Sequence, residues 1–333
     1  MKLFLKLQKN LDSVRGDEGN LKTEGTKKIL VTGASGLLGY NIVKRAKKYF
    51  RTYEISPTHR TKPLFSESVK MNITNENDVL QVFKKFSPDV VVHTAAETNV
   101  DKCETDKEYA LKVNTEGTKI IAEACGKVGA KIVYVSTDYV FHGEKGLYQE
   151  EDKPHPINYY GLTKLMGENY VVKLCEDYVI VRTSVLYGWH RWKPNFVTWV
   201  ITSLKTGRRI TVVNDHFNTP TLADNLAEAI LEVIEKDLIG LYHVSGRERI
   251  SRFEFALRIA ENFDLDSSLV KPIKMDQLKV WVAKRPRDSS LCVNKVQKEL
   301  KVKLLNVEEG LRRMREETEN EGNNFTWRTR NKA

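Results

Sequence analysis

Short runs of β-branched and apolar residues punctuate the first part of the chain: Ile29-Leu30-Val31, Glu54-Ile55, Val90-Val91-Val92, Ile132-Val133-Tyr134-Val135 and Val179-Ile180-Val181. Each is followed by a stretch of helical periodicity. Continuous apolar runs alternating with helices predict β-α-β units and a parallel sheet buried on both faces. After the first run, Leu37, Leu38, Ile42, Val43, Ala46 and Phe50 recur at three- and four-residue intervals, with Lys44, Arg45, Lys47 and Lys48 between them. This is a helix with one face on a sheet and a solvated basic face. Beyond Gly188 the alternation relaxes into a segment with Trp189, Trp192 and Pro194, then a helix over about Phe196 to Leu204. Gly240 to Val244 predicts one more strand returning to the sheet, and Phe253 to Phe263 a further helix.

The expected fold class is therefore α/β, a Rossmann-type doubly wound parallel sheet with a smaller C-terminal region. The expected boundaries are an N-terminal extension over 1–26, the sheet domain over 27–188 with 220–246 returning to it, a second region over 189–219 and 247–315, and a polar tail over 316–333. The extension carries a weak stripe at Leu3, Leu7 and Leu11, and the tail holds Phe325 and Trp327.

Composition narrows the class. Of 333 residues 41% are apolar and 29% charged, a globular balance that argues against disordered and collagen-like chains. No apolar run approaches the roughly 18 residues that span a bilayer, and Leu3-Phe4-Leu5 is cut short by Lys6, so the chain reads as unexported, cytoplasmic and without a membrane partner. The 54 Lys and Arg against 44 Asp and Glu leave a charge of +10, which suits an anionic partner. No helix-turn-helix, zinc or aromatic-basic module supports nucleic acid, so a small anionic ligand fits better. Cys103, Cys125, Cys175 and Cys292 are widely separated, with no metal-ligand spacing, and read as free thiols with no metal site.

The first strand runs into Thr32-Gly33-Ala34-Ser35-Gly36-Leu37-Leu38-Gly39 and then into the amphipathic helix. Glycines at 33, 36 and 39 allow a tight turn, close approach of backbone to a pyrophosphate, and close helix-on-strand packing. The phosphates would meet the backbone around Ser35, Leu37 and Leu38 at the helix N-terminus. Residues 27–188 are thus expected to bind a dinucleotide. An NAD-binding turn usually has a ribose-reading acid after the second strand. Here Ile55-Ser56-Pro57-Thr58-His59-Arg60-Thr61-Lys62 offers no carboxylate, and Arg60 suits a 2′-phosphate, which favours NADPH while leaving NADH open. Taken alone, Arg60 and Lys62 are equally compatible with solvated loop charges.

Ser136-Thr137-Asp138 follows the Ile132–Val135 run, placing these polar groups at a strand's carboxyl end, where open α/β sheets keep their sites. Tyr160 and Lys164 lie one turn apart on a helix opened by Asn158. A phenol is a poor acid near neutrality, and a neighbouring ammonium makes proton transfer to a carbonyl oxygen feasible. A Tyr and Lys at this spacing also occur as a plain surface pair; the glycine turn and Thr137 tip the balance to chemistry. Asp138 either orients neighbouring hydroxyls, meets a ligand, or caps a turn.

With Gly33-x-x-Gly36-x-x-Gly39, Thr137 and Tyr160-x-x-x-Lys164, the chain resembles the extended short-chain dehydrogenase/reductase superfamily. Over residues 28 to 314 it is most similar to the dTDP-4-dehydrorhamnose reductases, through His93-Thr94-Ala95-Ala96, Val100-Asp101-Lys102-Cys103-Glu104, Asn114 to Thr118, Ser136 to Phe141, Gly161 to Glu168, Arg182-Thr183-Ser184, Pro220-Thr221, His243 to Gly246 and Arg285 to Leu291. The resemblance implies that NADPH reduces the C4 keto group of a nucleotide-linked 4-keto-6-deoxy sugar. By the same resemblance Tyr160 protonates the oxygen, Lys164 tunes Tyr160 and holds the ribose, and Thr137 bonds the reacting oxygen. It further implies cofactor contacts from Asn72 and Ile73, where the family usually has an Asp at position 72, and from Ala95, Ala96 and Thr98. Substrate contacts are implied for Val100, Asp101, Thr137, Asp138 and Asn195, with Arg285 on the diphosphate. Members often dimerise, which implies a homodimer. One departure stands out: Val185 replaces a Trp that stacks on the sugar, leaving Trp189 or Trp192 to supply an apolar wall.

Many of the same runs also resemble the regulatory β subunit of methionine adenosyltransferase, as do Thr58 to Pro63 and Glu150-Glu151-Asp152. That implies an NADP-binding regulator whose partner is an adenosyltransferase, although Thr137, Tyr160 and Lys164 are all present. A sugar-nucleotide epimerase or dehydratase is the third alternative; the missing ribose acid, and Asp138 without a following Glu, count against it.

Overall fold

A computed structural model describes residues 26–49 and 52–320. The Leu3, Leu7 and Leu11 stripe, Phe50, Phe325 and Trp327 lie outside the described residues. Seven strands form the central sheet: β1 (Lys27–Thr32), β2 (Tyr53–His59), β3 (Val69–Lys70), β4 (Val90–His93), β5 (Lys131–Thr137), β6 (Tyr178–Thr183) and the Gly240–His243 strand. Their spatial order is β3, β2, β1, β4, β5, β6 and Gly240–His243, and every pairing is parallel. The register sets Val31 beside Val92, Val92 beside Val133 and Val133 beside Val179.

Because strand side chains alternate, this register sorts the apolar runs into two cores. Ile29, Val31, Val90, Val92, Val133, Val179 and Val181 face the helices Leu37–Tyr49 and Ala223–Glu235. Leu30, Val91, Ile132, Tyr134 and Ile180 face the helices Glu76–Phe86, Gly117–Val128 and Tyr159–Leu174. The strand order reverses between β1 and β4, so the loops leaving these two strands diverge and open a crevice at the carboxyl edge.

A third core, around Tyr187, Val200, Val212, Phe255, Val270 and Leu311, joins the helices Phe196–Lys205, Arg252–Asn262 and Val307–Asn320 beside that edge. It is tied to the sheet domain electrostatically: Arg45 and Arg313 both grip Asp224 and Glu228.

The chain departs from simple periodicity in two places. β2 continues through Ser56 and Thr58 to His59, because the buried Thr58 hydroxyl finds the Val31 carbonyl (3.3 Å) and the Thr58 carbonyl takes the Ala34 amide (3.0 Å). Polar residues are tolerated in a buried strand once their bonds close internally. The segment Lys112–Glu116 forms a π turn between the helices Lys107–Leu111 and Gly117–Val128.

Candidate functional site

The glycine turn is built by close contact. Gly33 has φ +70°, and a Cβ there would lie 2.8 Å from the Ala95 amide nitrogen. A Cβ on Gly39 would lie 2.5 Å from the Gly33 carbonyl oxygen. Gly36, whose Cβ would meet only that oxygen at 3.2 Å, forms the open rim. The opening amides of the Leu37–Tyr49 helix have no carbonyl of their own helix to bond and present partial positive charge to the crevice. Ser35 donates its hydroxyl to the Lys62 carbonyl at 2.6 Å, and its own carbonyl accepts from His190 Nε2 at 3.2 Å. The turn is thereby fastened both to the loop after β2 and to the second region.

Behind it runs a hydrogen-bond chain of fixed direction. Thr118 Oγ1 donates to the Asn114 carbonyl at 2.7 Å, so it accepts from His93 Nε2 at 3.1 Å; His93 Nδ1 then accepts from Thr32 Oγ1 at 2.6 Å, which accepts the Ala95 amide at 3.3 Å. Burial, with Lys164 nearby, pushes His93 down to about 3 and keeps it neutral. Asn114, in the π turn, holds Glu97 by both backbone groups, at 2.8 and 3.1 Å. Ala95, Ala96 and the exposed Thr98 thus sit on a loop pinned at both ends.

Arg60 immediately follows β2 and bonds the Tyr109 hydroxyl. Ile73 is buried, 3.0 Å from where a Gly117 Cβ would stand. The Asn72 Oδ1 accepts both the amide and the hydroxyl of Thr74, at 3.2 and 3.1 Å. Its NH₂ is therefore the end suited to a ligand, and it would donate to a ring nitrogen where an Asp would accept.

Thr137 closes β5, with Tyr160 and Lys164 on the first two turns of the Tyr159–Leu174 helix, whose N-cap Asn158 accepts the Gly161 amide at 2.8 Å. Tyr160 is hydrogen-bonded to Thr137, and burial, aided by Asp138, raises its pKa well above that of a free phenol. Lys164 is buried, its Nζ donating to the Val135 carbonyl at 2.8 Å and lying 4.1 Å over the Tyr134 ring; desolvation brings it to about 7. In the free protein the ammonium is therefore spent on Val135 and not on the phenol. Tyr160 holds its proton at neutrality.

Asp138 lies behind these groups. It is buried and accepts from Thr137 (3.1 Å), Ser184 (2.9 Å) and Ser289 (2.5 Å), so it orients hydroxyls; its pKa is raised by burial against those bonds. Asn195 is engaged as the N-cap of Phe196–Lys205, and its Nδ2 donates to the Gly188 carbonyl at 2.7 Å. Val100 opens the helix Val100–Thr105, and Asp101 on the same turn accepts Arg285 at 2.8 Å and the Val282 and Ala283 amides at 2.9 Å each. The two residues hold each other and tie the 282–285 segment to the first turn of the Val100–Thr105 helix. Val185 takes φ +43° and packs on the third core. Trp189 turns away to donate to the Met314 carbonyl, and Trp192 is exposed. The indole that does lie near Arg285 is Trp281, 5.2 Å from the guanidinium carbon.

A dinucleotide fits this crevice. The two glycine contacts leave no room for side chains, Gly36 and a helix N-terminus face outward, and no carboxylate follows β2 before Pro63. Among the described residues no group of three or more His, Cys, Asp or Glu side chains is placed to hold a metal ion, and no helix is long and apolar enough to cross a membrane. His93 and Asn114 carry no mark in the local sequence that would identify them as part of the site. Their partners lie tens of residues away, and no local spacing marks them.

Residues 27–320 match the model of a family described as the RmlD substrate binding domain. The chain is 33% identical over 275 residues to a probable low-salt glycan biosynthesis reductase of Haloferax volcanii, covering 81% of this chain and 91% of that protein. It is 32% identical over 273 residues to methionine adenosyltransferase 2 subunit beta of Bos taurus, covering 80% of each. Among solved structures, dTDP-4-dehydrorhamnose reductase of Bacillus anthracis in complex with NADP superposes with a TM-score of 0.81 at 35% identity, covering 88% of this chain and all of that one.

Proposed function

The chain belongs to the RmlD substrate-binding family, and from that premise we propose that it is an NADPH-dependent oxidoreductase reducing the C4 keto group of a nucleotide-linked 4-keto-6-deoxy sugar. NADPH, when bound along the glycine turn, supplies the hydride. The protein supplies the rest. Thr137 and Tyr160 lie where charge develops on the carbonyl oxygen, and rotation of the Thr137 hydroxyl from Asp138 to that oxygen adds a second donor to the phenol. Tyr160, kept protonated by burial, donates its proton to that oxygen, as the reductive direction requires. Lys164 retains two N–H donors beyond its bond to Val135, enough for a ribose hydroxyl and the phenolate left behind. Arg60 and the absence of a carboxylate after β2 favour the 2′-phosphorylated cofactor. The observation that carries the reading is the meeting of Thr137, Tyr160 and Lys164 at the carboxyl edge, beside a glycine turn sealed by the β4 loop.

The test follows NADPH absorbance with dTDP-4-keto-6-deoxy-L-mannose generated in situ, with Tyr160→Phe alongside. Oxidation by the wild type that falls at least 100-fold in the variant, with NADPH binding retained, supports the reductase. Tight NADPH binding without oxidation refutes this substrate. The 32% identity to the adenosyltransferase β subunit keeps a regulatory reading in view; a methionine adenosyltransferase catalytic subunit that binds the unreactive protein favours it.

A further inference from the structure

One helical turn beyond Lys164, on the same face, stands a buried carboxylate that the chemistry above does not use, Glu168. It accepts from donors on two neighbouring strands: Ser136 Oγ at 2.5 Å, and Arg182 Nε and Nη2 at 3.0 and 2.7 Å. Ser136 lies on β5 between Val135, whose carbonyl takes Lys164 Nζ, and Thr137, which is hydrogen-bonded to Tyr160. Arg182 is its neighbour on β6, as Thr183 is the neighbour of Thr137. Glu168 therefore fastens the helix that carries Tyr160 and Lys164 to the strand end that carries Thr137 and the acceptor of Lys164. Helix and strand are in close contact there. Tyr134 donates its hydroxyl to the Lys164 carbonyl at 3.3 Å, and a Cβ on Gly167 would collide with that hydroxyl.

Stability alone is a weak reason for this pair. Taking two charges out of water costs about what their attraction returns, and apolar side chains of similar volume fill such a space at equal or lower free energy. What the pair adds is negative charge at a chosen place. Lys164 faces Tyr134 on β5, His93 on β4 and Tyr160 on its own helix, and all three are neutral at pH 7. Asp138 acts on the phenol of Tyr160 and is engaged by three hydroxyls. Among the described residues Glu168 is the carboxylate whose field reaches the ammonium, where it opposes the burial that strips the proton. Arg182 is the other cation on Glu168, and its Nη1 has no hydrogen-bond partner. The carboxylate is thus shared between a guanidinium that never loses its proton and an ammonium that can.

We propose that Glu168 is a positioning residue for the reduction: through Ser136 it fixes the strand end that carries Thr137, and through its charge it keeps Lys164 an ammonium beside Tyr160. The proposal rests on the reductase reading above, and half of its test needs no turnover. Two variants separate charge from placement. Glu168→Met combined with Arg182→Met replaces the buried pair by apolar side chains and strands neither charge, so the fold is expected to persist. Ser136→Ala removes one hydroxyl and keeps the pair. The ¹⁵Nζ signal of Lys164, assigned by its loss in Lys164→Met, is titrated with pH in each cofactor-free protein, and kcat and KM are measured with NADPH and the keto-sugar nucleotide over the same range. The double variant is expected to release the Lys164 proton at least about one pH unit below the wild type. Its alkaline loss of kcat should move down by a similar interval, leaving kcat about 10-fold or more below wild type at pH 7. In Ser136→Ala the Lys164 titration is expected to stay in place while kcat falls about 3- to 10-fold at every pH and KM for NADPH stays within about twofold. A folded double variant whose Lys164 titrates as in the wild type would overturn the proposal. So would wild-type kcat in Ser136→Ala, which decides the matter by itself if the double variant does not fold. If Lys164 responds as expected but the wild type reduces no keto-sugar nucleotide, the reductase reading falls and the coupling of Glu168 to Lys164 stands. Reduction by the wild type with neither variant changing kcat or its pH profile does the reverse.

Discussion

Replacing Lys164 by Met shortens the side chain by one heavy atom and removes its charge. The ammonium is buried against Tyr134 and Val135, and its nearest carboxylate, Glu168, is committed to Arg182 at 2.7 Å. Its pKa falls from 10.5 to about 7. The unfolded chain keeps this proton up to about pH 10.5, whereas the folded chain releases it near 7. Between those values the unfolded state holds more protons, so wild-type stability rises with pH, by at most about 1.4 kcal/mol per unit. Below pH 7 the charge is present in both states and the full cost of burying it is felt, on the order of 3–5 kcal/mol. The Met variant has no such dependence. It is expected to be more stable than the wild type at pH 6, with the gap closing as pH rises toward 10. With an unfolding entropy of about 2.1 cal/mol/K per residue, 1.4 kcal/mol corresponds to about 2 °C in Tm per pH unit for a 333-residue chain. Melting curves of both proteins without cofactor at pH 6, 7, 8 and 9 measure this, and turnover is expected to fall by about 100-fold or more. A Met variant that melts below the wild type at pH 6, or a gap that does not shrink with pH, refutes the reasoning.

Gly39→Ala places a methyl group 2.5 Å from the Gly33 oxygen and 2.9 Å from Ala34 Cα, backbone atoms that cannot step aside. A loss of about 1–3 kcal/mol in denaturant unfolding is expected, together with weakened NADPH binding by fluorescence titration; wild-type stability and binding would contradict the close packing. Arg60→Ala should weaken NADPH about tenfold and leave NADH within about twofold, a difference that shrinks with added salt because the residue is exposed. Equal losses for the two cofactors would show that Arg60 does not meet a 2′-phosphate.

The alternation of Val-rich runs with helices, the glycine spacing and the Tyr160, Lys164 pair are local patterns. Each constrains only a turn or two of backbone, so each was legible from neighbouring residues. The continuation of β2 through Ser56 and Thr58 was not, since those polar residues become strand only when Val31 and Ala34 arrive to satisfy them. The π turn at Lys112–Glu116 likewise depends on what Asn114 finds at Glu97.

For this protein, sequence periodicity determined the layer architecture, because burial on two faces of a sheet dictates where apolar residues must fall along the chain. It also determined that a dinucleotide turn and a phenol with an ammonium exist. Tertiary structure alone decided which charges are spent and which are free. Asp138 meets Ser289 across 151 positions, and Asp101 neutralises Arg285 across 184. Hydrogen bonds and ion pairs depend on distances of a few ångströms, and chain topology, not spacing in sequence, sets such distances between remote residues.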